Sequence, residues 1–216
     1  MPDIFYLPNL TSAEVSKNYY DIAEHDPHFF GLIDNSGLYN LRYGAKNETA
    51  IVKRYSNESL ANVTAADKFY VFGHGDYRDG TLRCKLPGTL ALTMYGVACR
   101  LKARQLPDLA SLKVRLFACT SAVLNDAGDD TMARQLAINL GLLGYKNIVV
   151  KGYTGFVNLG DGKHLKVTKS YNETTHEMGK ILRAKDHAVC YRTNGSVVAG
   201  RELHGYQTVS SRTQHT

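Results

Sequence analysis

The chain has 216 residues, of which 44% are hydrophobic and 21% charged, and its formal net charge at pH 7 is +6. This length and composition predict one folded domain and exclude a chain that is disordered throughout. No run approaches the ~18 apolar residues of a membrane span, and the N-terminus lacks the basic start and apolar run of a signal peptide. The positive charge favours an anionic partner: nucleic acid, a membrane surface or a polyphosphate.

The four cysteines are scattered along the chain, at Cys84, Cys99, Cys119 and Cys190. No two of them are close enough in sequence for a CxxC metal or redox motif. Their number and spacing indicate a reducing compartment rather than a disulfide framework, and we expect no metal site.

The N-terminal quarter of the chain is interpreted as a lead-in followed by a hairpin. Residues 1–25 predict irregular structure with one short helix at Ser12–Ala23. The apolar runs Phe29–Ile33 and Leu38–Tyr43 flank Asp34–Gly37, a turn signal that predicts a hairpin. A further strand or short sheet edge is expected at Ile51–Tyr55.

The middle of the chain alternates between strand and helix patterns. Buried strands are predicted at Lys68–Phe72, Val114–Ala118 and Ile148–Lys151, and helices at Thr93–Leu106 and Asp129–Leu143. This alternation predicts an α/β fold in which the strands pair in parallel through right-handed crossovers.

After the third strand, the pattern becomes less regular. A Gly-rich, Lys-rich hairpin is predicted over Gly152–Tyr171 and a helix over Glu173–Ala184. Strands are expected near Ala188–Arg192 and Ser196–Ala199. We expect three parts in all: a lead-in over residues 1–28, one domain over residues 29–205 and a disordered tail over residues 206–216.

A histidine and a cysteine follow two successive predicted strands. His74 lies just after the first strand, between Gly73 and Gly75, and Cys119 comes directly after the second. Because ligands bind beyond the carboxyl ends of parallel strands, we expect both residues at one edge of the sheet. A nearby histidine converts a thiol into a reactive thiolate, so the pair predicts a catalytic dyad. Backbone N–H groups of Gly75 and Cys119 are the expected oxyanion donors.

The segments Tyr70–Gly75 (YVFGHG) and Leu116–Ser121 (LFACTS) resemble the His and Cys motifs of the caspase-like, clan CD cysteine peptidases, which include caspases, gingipains, clostripain and separase. The resemblance is strongest to the inositol-hexakisphosphate-activated cysteine protease domain of large secreted bacterial toxins and to related stand-alone effectors. The hairpin Gly31–Gly44 and the basic positions Lys151 and Lys163-His164 are also similar. The similarity covers roughly residues 29–170.

The resemblance implies a caspase-like three-layer fold, with a mostly parallel central sheet flanked by helices and a β-hairpin flap. It also implies a thiol protease in which Cys119 attacks a peptide carbonyl and His74 acts as acid and base. Inositol hexakisphosphate would bind a basic pocket and order the flap as an allosteric activator. The implied ligand residues are Lys68, Lys151, Lys163, Lys166 and Lys169, with Lys53, Arg54 and His25 as further candidates.

Three functional hypotheses remain open from the sequence. The first is a bacterial effector or virulence protease, exported without a signal peptide, which cleaves a protein in the host cytoplasm or its own N-terminal segment; otherwise it is cytoplasmic. The second is a catalytically silent polyphosphate-binding module on the same fold. The third is a nucleic-acid binder, which we consider less well supported because its basic and aromatic residues do not clearly interleave.

Overall fold

The computed structural model describes residues 3–8, 50–54, 59–76, 78–83, 91–158, 166–168, 171–172, 177–178 and 180–198. The predicted helix at Ser12–Ala23, the hairpin at Phe29–Tyr43 and the C-terminal tail lie outside these residues. In chain order, the described elements are β1 (Asp3–Leu7), β2 (Ala50–Arg54), β3 (Lys68–Phe72), β4 (His74–Asp76), β5 (Thr81–Arg83), β6 (Leu92–Thr93), α1 (Met94–Ala103), β7 (Lys113–Phe117), α2 (Met132–Leu142), β8 (Val149–Tyr153), β9 (Phe156–Asn158), β10 (Lys166–Thr168), β11 (Tyr171–Asn172), β12 (Glu177–Met178), β13 (Ile181–Arg183), a 3₁₀ turn (Ala184–His187) and β14 (Ala188–Arg192).

The main sheet has six strands in the order β14-β8-β7-β3-β1-β2. Five of them are parallel, and only β14 runs antiparallel to its neighbour β8. The protein is therefore an α/β protein with a mixed, mostly parallel sheet, as the alternating pattern predicted. Strand β1 lies between β3 and β2, so the prediction of irregular structure was wrong for Asp3–Leu7.

Both described helices pack on one face of this sheet, and side chains cap the start of each helix. Thr93 accepts a hydrogen bond from the Gly96 N–H at the start of α1, and Thr131 accepts one from the Arg134 N–H at the start of α2. Gly144 follows α2 with a φ of +94°, the left-handed conformation that glycine favours after a helix. The core joins alternate strand residues with helix residues, among them Phe69, Val71, Val114, Leu116, Val150, Val97, Leu101, Leu136 and Leu140.

The region after β8 is less helical than the sequence predicted. Strands β9 and β10 pair antiparallel, which confirms a hairpin within Gly152–Tyr171. The helix predicted over Glu173–Ala184 is wrong, because β12 and β13 occupy most of its described residues and β13 pairs with β10. The strand predicted over Ser196–Ala199 is reduced to a single bridge between Val197 and Tyr191.

No helix in the described part of the chain is both long and apolar enough to cross a membrane.

Candidate active site

His74 and Cys119 are held at the same edge of the sheet by contacts on either side of the histidine. Strands β3 and β7 pair in parallel up to Phe72 and Phe117, and the Gly73 N–H then donates to the Phe117 carbonyl oxygen at 3.3 Å. Gly75 packs against Ala118 and Cys119, the two residues that follow β7. A methyl group at Gly75 would collide with the Cys119 carbonyl oxygen and would lie 3.1 Å from the Ala118 Cβ.

This packing places the backbone of His74 beside the segment that carries Cys119. Neighbouring strands are about 4.8 Å apart, which is a distance that two side chains can bridge. Both residues are partly exposed to solvent. The structure therefore places the backbones of the two predicted residues next to each other at one edge of the sheet.

The turn that carries Cys119 is fixed to the end of β8. The Thr120 N–H donates to the Gly155 carbonyl oxygen, and the Ala122 N–H donates to the Tyr153 carbonyl oxygen, both at 2.9 Å. Thr120 has a φ of +54°, which is a left-handed conformation that a β-branched residue rarely adopts. Such strain is retained where the surrounding contacts determine the backbone, and it is common at functional sites.

The strand that begins with His74 forms a hairpin with β5. His74 lies opposite Arg83 in the antiparallel register, and Arg83 forms an ion pair with Asp79. Slight burial raises the pKa of Asp79, but hydrogen bonds from Thr81 and Arg83 outweigh it and lower the pKa below its usual value. This exposed ion pair lies within the hairpin, between β5 and the turn that precedes it.

The face of the sheet opposite the helices carries a row of polar and cationic side chains. Tyr70, Arg115 and Lys151 lie side by side on β3, β7 and β8 in the strand register. The Arg115 guanidinium lies 5.6 Å from the centroid of the Tyr70 ring, and the Lys151 ammonium lies 5.9 Å from that of Tyr153. These cation–π contacts hold two positive charges next to each other on a partly buried surface.

A cavity of about 270 Å³ opens onto this row. Its lining includes four cationic side chains, Arg115, Lys151, Arg183 and Lys185, of which the last two come from β13 and the 3₁₀ turn. Arg115 lies on β7, four residues before Cys119, which belongs to the turn after this strand. Neither His74 nor Cys119 lines the cavity, which is therefore a basic site separate from the candidate dyad.

Lys151 is a partly buried cation of this cavity. Burial lowers its pKa from the ordinary lysine value, and the positive charges of Arg115 and Lys113 lower it further. Cys190, opposite Lys151 on β14, and Asp186 act in the other direction without restoring the pKa. A lysine held in this way gains from an anionic ligand, because the ligand compensates for the lost hydration.

The structure brings only part of the predicted basic set to this cavity. Lys151 lines it, and Lys68 lies on β3, two residues before Tyr70 on the same face. Strand β2, which carries Lys53 and Arg54, is four strands from β8, so its backbone is about 19 Å away. Lys166 lies on β10, of which only the backbone is described, and His25, Lys163 and Lys169 lie outside the described residues.

Sequence reasoning missed Arg115, Arg183 and Lys185 as members of the basic site. The alternation in Lys113–Phe117 (KVRLF) places Lys113 and Arg115 on the face opposite the core, and this signal could have identified Arg115. Arg183 was missed because its segment, which is strand β13, was predicted to be a helix. Cys190 is partly exposed and lies opposite Lys151 in the strand register.

No group of three or more metal-binding side chains occurs within the ranges that the structure describes. In comparisons with known proteins, the chain matches no family model and no curated sequence.

Proposed function

We propose that the protein is a cysteine endopeptidase in which His74 and Cys119 form the catalytic dyad. The observation that carries this proposal is the close packing of Gly75 against the Cys119 peptide, which holds the histidine-bearing and cysteine-bearing segments side by side. Two chemically suited residues at the carboxyl ends of adjacent parallel strands are typical of an α/β active site. The fit to a caspase-like fold rests on the sequence motifs and on the mostly parallel sheet.

In the proposed reaction, the Cys119 thiolate attacks the carbonyl carbon of a peptide bond, and an acyl-enzyme forms. His74 protonates the nitrogen of the leaving amine and then takes a proton from the water that hydrolyses the thioester. The N–H groups of Gly75 and Cys119 would stabilise the negative oxygen of the tetrahedral intermediate. The close approach of Gly75 to the Cys119 peptide supports this pairing of donors.

We further propose that a polyphosphate, with inositol hexakisphosphate as the first candidate, binds the basic cavity and activates the enzyme. Four cationic side chains around one cavity can form the charge-assisted hydrogen bonds that a polyphosphate needs. The cavity is also connected to the Cys119 turn. Tyr153 lines it, and Gly155, two residues further on, accepts the Thr120 N–H.

The segment that carries Arg183 and Lys185 provides a second connection between the basic cavity and the end of β8. The Thr154 N–H donates to the carbonyl oxygen of His187, the last residue of the 3₁₀ turn that contains Lys185, at 2.8 Å. The hairpin of β9 and β10 begins directly after Gly155 and is the proposed flap. An anion that orders this region would stabilise the active conformation by the difference between its affinities for the active and the inactive conformation.

We also propose secretion and action in a host cytoplasm, and both proposals rest on the resemblance.

The dyad is tested by cleavage of a mixture of unfolded proteins, with new N-termini identified by mass spectrometry, in the presence and absence of inositol hexakisphosphate. The wild type is expected to generate new N-termini, and Cys119→Ala and His74→Ala are expected to generate none. Cys99→Ala, a cysteine removal on α1, is the matched control and should cleave like the wild type. Equal cleavage by Cys119→Ala and the wild type would exclude the dyad.

The basic cavity also supports a second candidate, a polyphosphate-binding module without catalysis. The cavity is formed by side chains other than His74 and Cys119, so it can bind an anion whether or not the thiol reacts. Titration calorimetry with inositol hexakisphosphate, done alongside the cleavage assay, separates the candidates. Binding without cleavage would favour the module, and binding together with cleavage would favour the protease.

A further inference from the structure

Ser121 is a hydroxyl residue two positions after Cys119, and it is 0% exposed. Its Oγ donates a hydrogen bond to the Leu116 carbonyl oxygen at 3.3 Å and accepts one from the Tyr153 N–H at 3.0 Å. A buried hydroxyl is unfavourable unless it is hydrogen-bonded, and here it acts both as donor and as acceptor.

The hydroxyl bridges two strands at the point where their own pairing stops. Strands β7 and β8 are paired from Lys113 to Arg115 and from Val149 to Lys151. Leu116 and Tyr153 lie beyond these paired residues, next to the turn that carries Cys119. The Ser121 side chain links the two backbones there in place of a direct ladder hydrogen bond.

The backbone of Ser121 is held equally firmly. Its carbonyl oxygen accepts a hydrogen bond from the Ala133 N–H, in the first turn of α2, at 2.8 Å. A methyl group added at Gly152 would lie 2.5 Å from the Ala133 Cβ and 3.2 Å from the Ser121 carbonyl carbon, so only glycine allows β8 to approach this closely. Ser121 thus joins β7, β8 and α2 at one point.

We propose that Ser121 is a positioning residue, whose hydroxyl keeps the Cys119 thiol at the place where His74 can activate it. This inference rests on the proposed role of Cys119 as the nucleophile. The intervening residue, Thr120, has a left-handed backbone that is unfavourable on its own and needs fixed neighbours on both sides. Loss of the Ser121 hydroxyl leaves the Tyr153 N–H without this acceptor and lets the turn relax away from the histidine.

The test compares Ser121→Ala with the wild type by the rate at which iodoacetamide alkylates Cys119, measured across a pH series and read for each cysteine by mass spectrometry. Near neutral pH, we expect alkylation to be roughly tenfold slower or more, since small displacements at an active site have effects of up to about a hundredfold. The pH midpoint should move toward the value of about 8.5 that is typical of an ordinary cysteine. Ser196→Ala removes an exposed hydroxyl, which contacts Asn194, and should leave both quantities unchanged.

A second pair of variants isolates the hydroxyl from the shape of the side chain. Ser121→Thr and Ser121→Val have the same shape, and only the former keeps the hydroxyl, so alkylation should be faster in the threonine variant. This pair also decides the question if Ser121→Ala does not fold. A purely structural role would lower the free energy of unfolding and leave the alkylation rate and its pH midpoint unchanged in folded protein, and that result would overturn the inference. Wild-type Cys119 that reacts no faster than Cys99 would instead count against the proposed dyad.

Discussion

Gly75 and Cys119 are packed so closely that no side chain fits between them. A methyl group at Gly75 would overlap the Cys119 carbonyl oxygen and lie 3.4 Å from the Cys119 nitrogen. These neighbours are backbone atoms, which cannot rotate away as a side chain can. The glycine after His74 is therefore required by the position of the candidate nucleophile.

Gly75→Ala should consequently damage the site more than a typical glycine replacement does. We expect the free energy of unfolding to fall by about 1–3 kcal/mol, as in other overpacked sites, and Cys119 to react more slowly because its peptide must shift. Urea denaturation and alkylation kinetics measure the two effects. Gly96→Ala is the control, because a methyl group there meets its neighbours at 3.6 Å and lies within helix α1. Equal behaviour of the two variants would show that the contact is not restrictive.

Replacement of Lys151 should separate anion binding from stability. Lys151→Met removes a charge that the fold keeps partly away from water, so at pH 7 we expect the free energy of unfolding to be at least as high as in the wild type. Affinity for inositol hexakisphosphate should fall roughly tenfold or more, because one charge-assisted contact is lost. Calorimetry measures both quantities.

The matched control for this variant is Lys146→Met, which makes the same change in net charge at an exposed position before β8. Its affinity for the polyphosphate should stay close to that of the wild type. A similar loss of affinity in both variants would indicate attraction by net charge rather than a site at the cavity.

Polyphosphate binding should also depend on pH through Lys151. Because the pKa of Lys151 is lowered from 10.5, its charge is lost below the pH at which an ordinary lysine loses its charge. Affinity should therefore decrease as the pH rises through this lowered pKa. The groups around it are Arg115 and Lys113 on β7, Cys190 on β14 and Asp186 in the 3₁₀ turn.

Lys151→Arg provides the comparison for this pH effect, because arginine stays protonated throughout the alkaline range. Calorimetric titrations across that range should show a smaller loss of affinity in the arginine variant than in the wild type. Superimposable pH profiles would exclude Lys151 as the titrating group.

The sequence predicted five of the six strands of the main sheet and missed β1. The runs at Lys68–Phe72 and Ala188–Arg192 are observed strands with the predicted bounds. Each is a short run rich in apolar residues, so its strand signal is local and does not depend on the pairing partner. Strand β1 was missed because it is a short run close to the terminus, and its pairing with β3 and β2 is a long-range contact. The segment at Ile181–Arg183 is a strand because β10 pairs with it, which overrides its local preference.

The candidate site could be predicted only in part. The neighbouring backbone positions of His74 and Cys119 could be predicted because each residue follows a recognisable buried strand, and parallel pairing brings strand ends together. The basic cavity depends on strand register, which aligns Tyr70, Arg115 and Lys151 across three strands. Register is set by pairing between distant segments, so a sequence without its pairing partners does not specify which cations meet.

The most direct test of the dyad is the alkylation rate of every cysteine in the wild type and in His74→Ala, with and without inositol hexakisphosphate. We predict that wild-type Cys119 reacts fastest at neutral pH, that the polyphosphate increases its rate, and that His74→Ala abolishes this advantage while the other cysteines are unaffected. If Cys119 reacts no faster than Cys99 and Cys190, and is indifferent to His74, the proposed dyad is contradicted and the anion-binding module becomes the better account.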